Sequence, residues 1–85
     1  MIYVYVIVSE VKDLRFYVGQ TNNLQDRIFR HNAGYNKSTK AFRPWMFFFA
    51  EKYHSRQEAR KREKYLKSGV GKELIKAIWS GSSVG

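Results

Sequence analysis

The sequence predicts a small α+β domain, a sheet with helices in the order β-β-α-β-α-α. Three observations carry that prediction. Two β-branched and aromatic runs precede position 20, and a third spans 45–53. Between and after them lie segments whose apolar residues recur at helical spacing. Gly, Asn and Ser stand at the junctions where one type gives way to the other.

The elements follow in order. "IYVYVIV" (2–8) is apolar throughout, as for a strand covered on both faces. "SEVKDL" (9–14) is a polar hairpin loop, and "RFYVG" (15–19) returns as a second strand closed by Gly19. Asn22 or Asn23 caps a helix running to about His31, with Leu24 and Ile28 on its apolar stripe. "NAGYNKSTKAFRP" (32–44) reads as a loop in which Gly34 stops the helix and Pro44 precedes the third strand, "WMFFFAEKY" (45–53). "SRQEARKREKYLKSG" (55–69) is a helix with Ser55 and Glu58 as a capping box and Gly69 at its stop. "KELIKAIW" (72–79) is a shorter amphipathic helix. Residues 1–79 thus read as one domain, with 80–85 as a flexible C-terminal tail.

Composition narrows the function. A chain of 85 residues buries one modest core, and 44% hydrophobic and 16% aromatic residues suffice for it. Cysteine is absent, which excludes disulfides and thiolate metal sites. The apolar run at 2–8 is too short to cross a bilayer and lacks the flanks of a signal peptide. The expectation is a cytoplasmic protein with no membrane contact. Sixteen Lys and Arg against seven Asp and Glu give a formal charge of +9, a field that favours nucleic acid as partner.

Candidate chemistry begins at the hairpin. Tyr5 and Tyr17 share a face if the loop holds an odd number of residues and lie on opposite faces if it holds an even number. A buried phenol needs a partner for its hydroxyl, so two on one face would make a polar pocket rather than plain core. Arg27 and His31 stand four apart on one helix face, just after the second strand. On the helix at 55–69, Glu63 falls on the stripe of Ala59 and Leu66, where a carboxylate is costly unless paired or bound to a metal. An ion pair with Arg27 or Arg62 is the alternative to a metal. Two phenols, an arginine, a histidine and an inward carboxylate in a basic protein suit phosphodiester hydrolysis. Glu63 can hold Mg²⁺, or Mn²⁺ in its place. The arginine can stabilise phosphate charge, and a tyrosine or histidine can take a proton from water.

"YVY" at 3–5, "YVG" at 17–19, "NLQDR" at 23–27 with "HN" at 31–32, and "REKYLKSG" at 62–69 resemble the GIY-YIG nuclease superfamily. The resemblance runs from Tyr3 to about Gly69 and is nearest to small stand-alone bacterial members. It implies a three-stranded antiparallel sheet flanked by helices, and single-metal hydrolysis leaving 5′-phosphate and 3′-hydroxyl ends. It implies catalytic roles for Tyr5, Tyr17, Arg27, His31 and Glu63, with Glu63 the metal ligand and Tyr5 the favoured general base. It also makes Gly19 the glycine whose missing side chain lets the helix start and substrate approach. Three positions depart from the pattern. Tyr3 replaces the first glycine, Gln20 stands where several relatives carry lysine, and no asparagine follows Lys64. These departures predict weaker or differently assisted catalysis.

Substrate contacts are expected from Gly19, Gln20, Lys37, Lys40 and Arg43. The stretch "KSTKAFRPW" (37–45) mixes cations, hydroxyls and aromatics that can hold phosphates and stack on a base. The alternative turns Phe42 and Trp45 into the core. No sequence-reading motif is present, so the expected activity is a metal-dependent DNA endonuclease with little sequence specificity, DNA being favoured over RNA. The competing readings are a nucleic-acid-binding module with little turnover, and a nuclease subunit of a larger complex or homo-oligomer. Trp79 is the candidate contact for such a complex, although docking within the fold is favoured for it.

Overall fold

A computed structural model describes residues 1–81. The central strand is β1 (Ile2–Ser9), flanked by the edge strands β2 (Arg15–Thr21) and β3 (Met46–Tyr53) in the order β2-β1-β3, all antiparallel. Six consecutive residues of β1, Val4 to Ser9, are buried, as a strand covered on both faces requires. Ser9 faces Arg15 across the hairpin, so residues 10–14 form the loop, an odd number of five. Tyr17 opposes Ile7, and Tyr5 therefore lies on the same face as Tyr17.

Each face carries its own cluster. The even face of β1, with Ile2, Val4 and Val6, packs with Val18 against Ala59, Leu66 and Ile75. Those last three come from the helices α3 (Arg56–Lys67) and α4 (Gly69–Trp79). The odd face, with Tyr5 and Ile7, packs with Trp45 and is lined by Tyr17, Leu24, Ile28 and Phe42. Helix α1 (Leu24–Ala33) and the short helix α2 (Lys37–Lys40) lie on this side. The sheet is sandwiched between two helical layers, and β2 forms one open edge between them.

Local chemistry sets the boundaries. Asn23 caps α1, its side-chain oxygen accepting from the Asp26 amide, and Gly34 ends the helix in the left-handed region at φ 87°. Ser55 caps α3 by accepting from the Glu58 amide, as the first half of a capping box requires, and its hydroxyl donates to Glu58 Oε1 at 3.2 Å in place of the backbone amide that completes the box.

Three sequence expectations need correction. The second strand continues past Gly19 to Thr21, because Tyr3 and Val4 still offer it backbone partners. The loop at 32–44 contains α2, capped by Asn36, and it is pinned to the body. Asn32 and Trp45 exchange two hydrogen bonds, side-chain amide to Trp45 carbonyl and Trp45 amide to side-chain oxygen. The Trp45 indole donates to the Thr39 carbonyl at 2.8 Å, and the Ser9 hydroxyl donates to the Phe42 carbonyl. Phe42 and Trp45 consequently turn into the core.

The remaining correction concerns Gly69, which opens α4 rather than closing α3. Ser68 serves both helices. Its amide and hydroxyl donate to the Tyr65 carbonyl at the end of α3, and its hydroxyl accepts from the Gly71 amide at the start of α4. Gly71 sits against the backbone of Tyr65 and Leu66, leaving no room for a side chain. Trp79 packs edge-on against Phe16 and Phe48 at 5.9 and 5.2 Å, so it docks within the fold. The expected flexible tail, 80–85, lies outside the described residues from position 82 onward; Ser80 itself caps α4.

Candidate active site

The site is organised by one cross-strand pair. Tyr5 of β1 faces Gly19 of β2, and without a β-carbon there the phenol lies down across β2. Tyr5 is 1% exposed. Gly19 is therefore a mid-strand position, and the space it leaves is filled by the Tyr5 ring rather than held open for substrate.

Helix α1 supplies the next group. His31, also 1% exposed, places Nε2 2.8 Å from the Tyr5 hydroxyl and Nδ1 2.8 Å from Thr39 Oγ1 on α2. The Thr39 hydroxyl in turn donates to the Asn36 carbonyl at 3.3 Å. A carbonyl only accepts, which fixes the direction of the chain. His31 Nδ1–H donates to Thr39, and Nε2 accepts from the Tyr5 O–H. The Tyr17 ring meets the imidazole edge-on with centroids 4.9 Å apart, and the two tyrosine rings lie 6.4 Å apart.

Protonation follows from this burial. The Tyr5 phenol is pushed well above its ordinary value, first by burial, then by Tyr17 and by the Glu63 carboxylate, against a downward pull from the Arg27 guanidinium. His31 is held below its ordinary value by burial and by the nearby Arg27. The pair therefore rests as neutral phenol and neutral imidazole at pH 7. These influences also place Arg27 and Glu63 within electrostatic reach of one hydroxyl, although they come from opposite layers.

Glu63 on α3 is half-buried, its side chain 18% exposed. Its partner is neither Arg27 nor Arg62, as the alternative had it. Lys67, one turn on, pairs with Oε2 at 2.9 Å, and Gln20 Nε2 donates to Oε1 at 2.9 Å. Arg62 pairs instead with Glu51 through two bonds, which holds the Glu51 carboxyl below the usual range. The Lys67 ammonium also lies 6.0 Å from the Tyr17 ring centroid, so it reaches around the β2 edge.

A divalent cation fits this corner. Gln20 Oε1 is buried with no hydrogen-bond partner, and it sits on the same amide that contacts Glu63. An orphaned carbonyl oxygen beside a carboxylate is a donor set for a hard cation. Magnesium needs few protein ligands because it keeps several waters. Among the described residues no group of three His, Cys, Asp or Glu side chains converges to form a denser site.

The structure thus brings together Tyr5, Tyr17, Gly19, Gln20, Arg27, His31 and Glu63. Lys37, Lys40 and Arg43 stand apart on α2 and the following turn, all exposed. Only Lys37 joins the neighbourhood, in a hollow lined with Arg27, Arg30, His31 and Tyr35. Sequence reasoning missed Thr39 and Lys67. Thr39 carried no signal beyond its place after the Asn36 cap, whereas Lys67 stands four after Glu63 in the favourable Glu-to-Lys order.

Comparison with known proteins gives the family. The GIY-YIG catalytic domain matches residues 1–76. The chain is 38% identical over 75 residues to a UPF0213 protein of Staphylococcus haemolyticus, covering 87% of this chain and 92% of the relative. A UPF0213 protein of Clostridium perfringens is 36% identical over 79 residues, covering 92% of this chain and 85% of its own. The UPF0213 protein YazA of Bacillus subtilis is 41% identical over 61 residues, 71% of this chain and 62% of its own. No solved structure matches the chain. With the family's motifs carried on a three-stranded antiparallel sheet between helices, the chain belongs to the GIY-YIG family, whose domain is that of a nuclease acting on nucleic acid.

Proposed function

We propose that this protein is a divalent-metal-dependent endonuclease that hydrolyses phosphodiester bonds in DNA, with little sequence preference, in the cytoplasm. The observation that carries the proposal is that Tyr5, bonded to His31 in one layer, lies over Gly19 while Glu63 from the other layer is bonded to the next residue, Gln20, with the Arg27 guanidinium acting on the same phenol. That arrangement supplies a proton path, a cation and a metal-binding carboxylate at one strand edge.

In this mechanism Glu63 and Gln20 Oε1 would hold Mg²⁺ or Mn²⁺, and the bound ion would stabilise charge on the phosphate. Arg27 neutralises the non-bridging oxygens as charge builds in the transition state. Tyr5 orients the attacking water. As the water oxygen bonds to phosphorus and the ester bond to the leaving oxygen breaks, the Tyr5 oxygen takes the water proton and its own passes to His31 Nε2. A phenol that rests protonated can act as base only with such an acceptor, and the neutral imidazole provides it. Tyr17 packs His31 in place. Lys37, Lys40 and Arg43 contribute positive field outside this centre.

One observation favours the second reading, a nucleic-acid-binding module with little turnover. Both Glu63 oxygens already have protein partners, so a metal must displace Lys67 and shift Gln20.

Cleavage of plasmid, branched DNA and structured RNA with Mg²⁺ or Mn²⁺ tests the proposal, with Glu63→Ala and Arg27→Ala alongside. Metal-dependent nicking lost in both variants is the expected result. Salt-sensitive binding without cleavage, unaffected by Glu63→Ala, would establish the binding module instead.

A further inference from the structure

A groove of about 460 Å³ runs along the outer side of β2, between the two helical layers. Its floor includes Arg15 and Tyr17, one wall carries Phe42, and the other carries Lys67, Lys72 and Lys76. No carboxylate lines it among the described residues. Tyr17 and Lys67 belong equally to the candidate active site, so the groove opens directly from it.

The two α4 lysines are the informative part. Lys72 and Lys76 stand four apart on one helix face, about 5–6 Å from each other at their β-carbons. Among the described residues neither enters an ion pair, whereas Lys67 is held by Glu63 and Arg15 by Asp13. Two uncommitted ammonium groups one turn apart can meet neighbouring phosphates of one strand. Opposite them, the Arg15 guanidinium lies 4.2 Å from the Phe42 centroid, so cation and ring present a flat face on which a base can stack. Phosphates on one wall and bases on the other describe an unpaired strand, since in a duplex the base faces are already stacked and covered.

We infer that this groove binds an unpaired nucleic-acid strand, with Lys72 and Lys76 as its phosphate contacts and the outer face of the Arg15 guanidinium, backed by Phe42, as its stacking surface. The inference deepens the nuclease reading and rests on it: the groove would lead a single-stranded end or flap to the bond that is cut.

Binding of a labelled oligothymidylate in EDTA, followed by fluorescence anisotropy against salt, tests this without requiring any cleavage. The double variant Lys72→Gln/Lys76→Gln should weaken binding about 25-fold near 0.1 M salt and lower the salt slope by about 1.4, the loss of two single-strand phosphate contacts. Lys61→Gln/Lys64→Gln on the exposed side of α3 removes the same charge and should weaken it no more than about threefold. Wild type should also prefer the single strand to a duplex of equal length. Equal losses in the two double variants would overturn the inference, leaving only a general field effect. Equal affinity for duplex and single strand would overturn it as well. Strand binding through the α4 lysines in a protein that cuts nothing would keep the groove and remove the nuclease reading. Cleavage indifferent to those lysines would do the reverse.

Discussion

A β-carbon on Gly19 would stand 2.5 Å from the Tyr5 hydroxyl and 2.7 Å from its Cζ. The ring cannot retreat, because its hydroxyl is bonded to His31 and it is buried between α1 and the sheet. Gly19→Ala should therefore cost about 1–3 kcal/mol by overpacking, measured by urea denaturation, and should lift Tyr5 from His31. Cleavage should fall by more than the loss of folded protein explains. A variant as stable and active as wild type would show that the ring has another resting place.

The buried imidazole makes stability depend on pH in a definite direction. His31 is held below its ordinary value of about 6.5, so the unfolded chain binds its proton first as pH falls. The stability linked to His31 is complete above about pH 6.5 and declines below it, by at most about 1.4 kcal/mol per pH unit. Denaturation midpoints between pH 7 and 5 should show this slope in wild type and in His54→Gln, and a flatter one in His31→Gln. An unchanged slope in His31→Gln would mean that other groups carry it.

Lys67 neutralises the carboxylate that a metal would use. Replacing it with methionine should raise Mn²⁺ affinity about twofold, the worth of an i,i+4 ion pair at the surface, as read by electron paramagnetic resonance of free Mn²⁺. Glu63→Gln should abolish the binding. Mn²⁺ bound equally well by Glu63→Gln would remove Glu63 from the metal site.

Two glycines near the α3–α4 junction should behave oppositely. A methyl at Gly71 meets the Tyr65 carbonyl and the Leu66 backbone, atoms that cannot step aside, so Gly71→Ala should cost about 3 kcal/mol. Gly69 has nothing within 4 Å of the added carbon, and Gly69→Ala should be neutral or stabilising by up to about 1 kcal/mol. Thermal unfolding distinguishes the two.

What the sequence made legible was whatever depends on short-range chemistry. The Asn23 cap, the Ser55–Glu58 box and the inward position of Glu63 all follow from spacings of three or four residues. The shared face of Tyr5 and Tyr17 did not, because a strand end displaced by one residue changes the parity of the loop. Helix α2 was hidden because "KSTK" is too short to show any period. Gly69 misled because a glycine after a helix commonly marks its end, whereas here the Ser68 hydroxyl restarts the chain as a new helix. The partners of Glu63 lay beyond reach because Gln20 is forty-three positions away, brought close only by the packing of α3 against β2.

The single residue between α3 and α4 leaves the corner without slack. Ser68 closes one helix and opens the next, so the angular phase of the Glu63 carboxylate is geared to that of Lys72 and Lys76. One residue inserted after Ser68 would part the cap that closes α3 from the cap that opens α4, and would free both lysines to shift relative to Glu63. The spacing of this joint is thus a gauge length: most substitutions on either helix alter what it grips, whereas a change in residue count alters where.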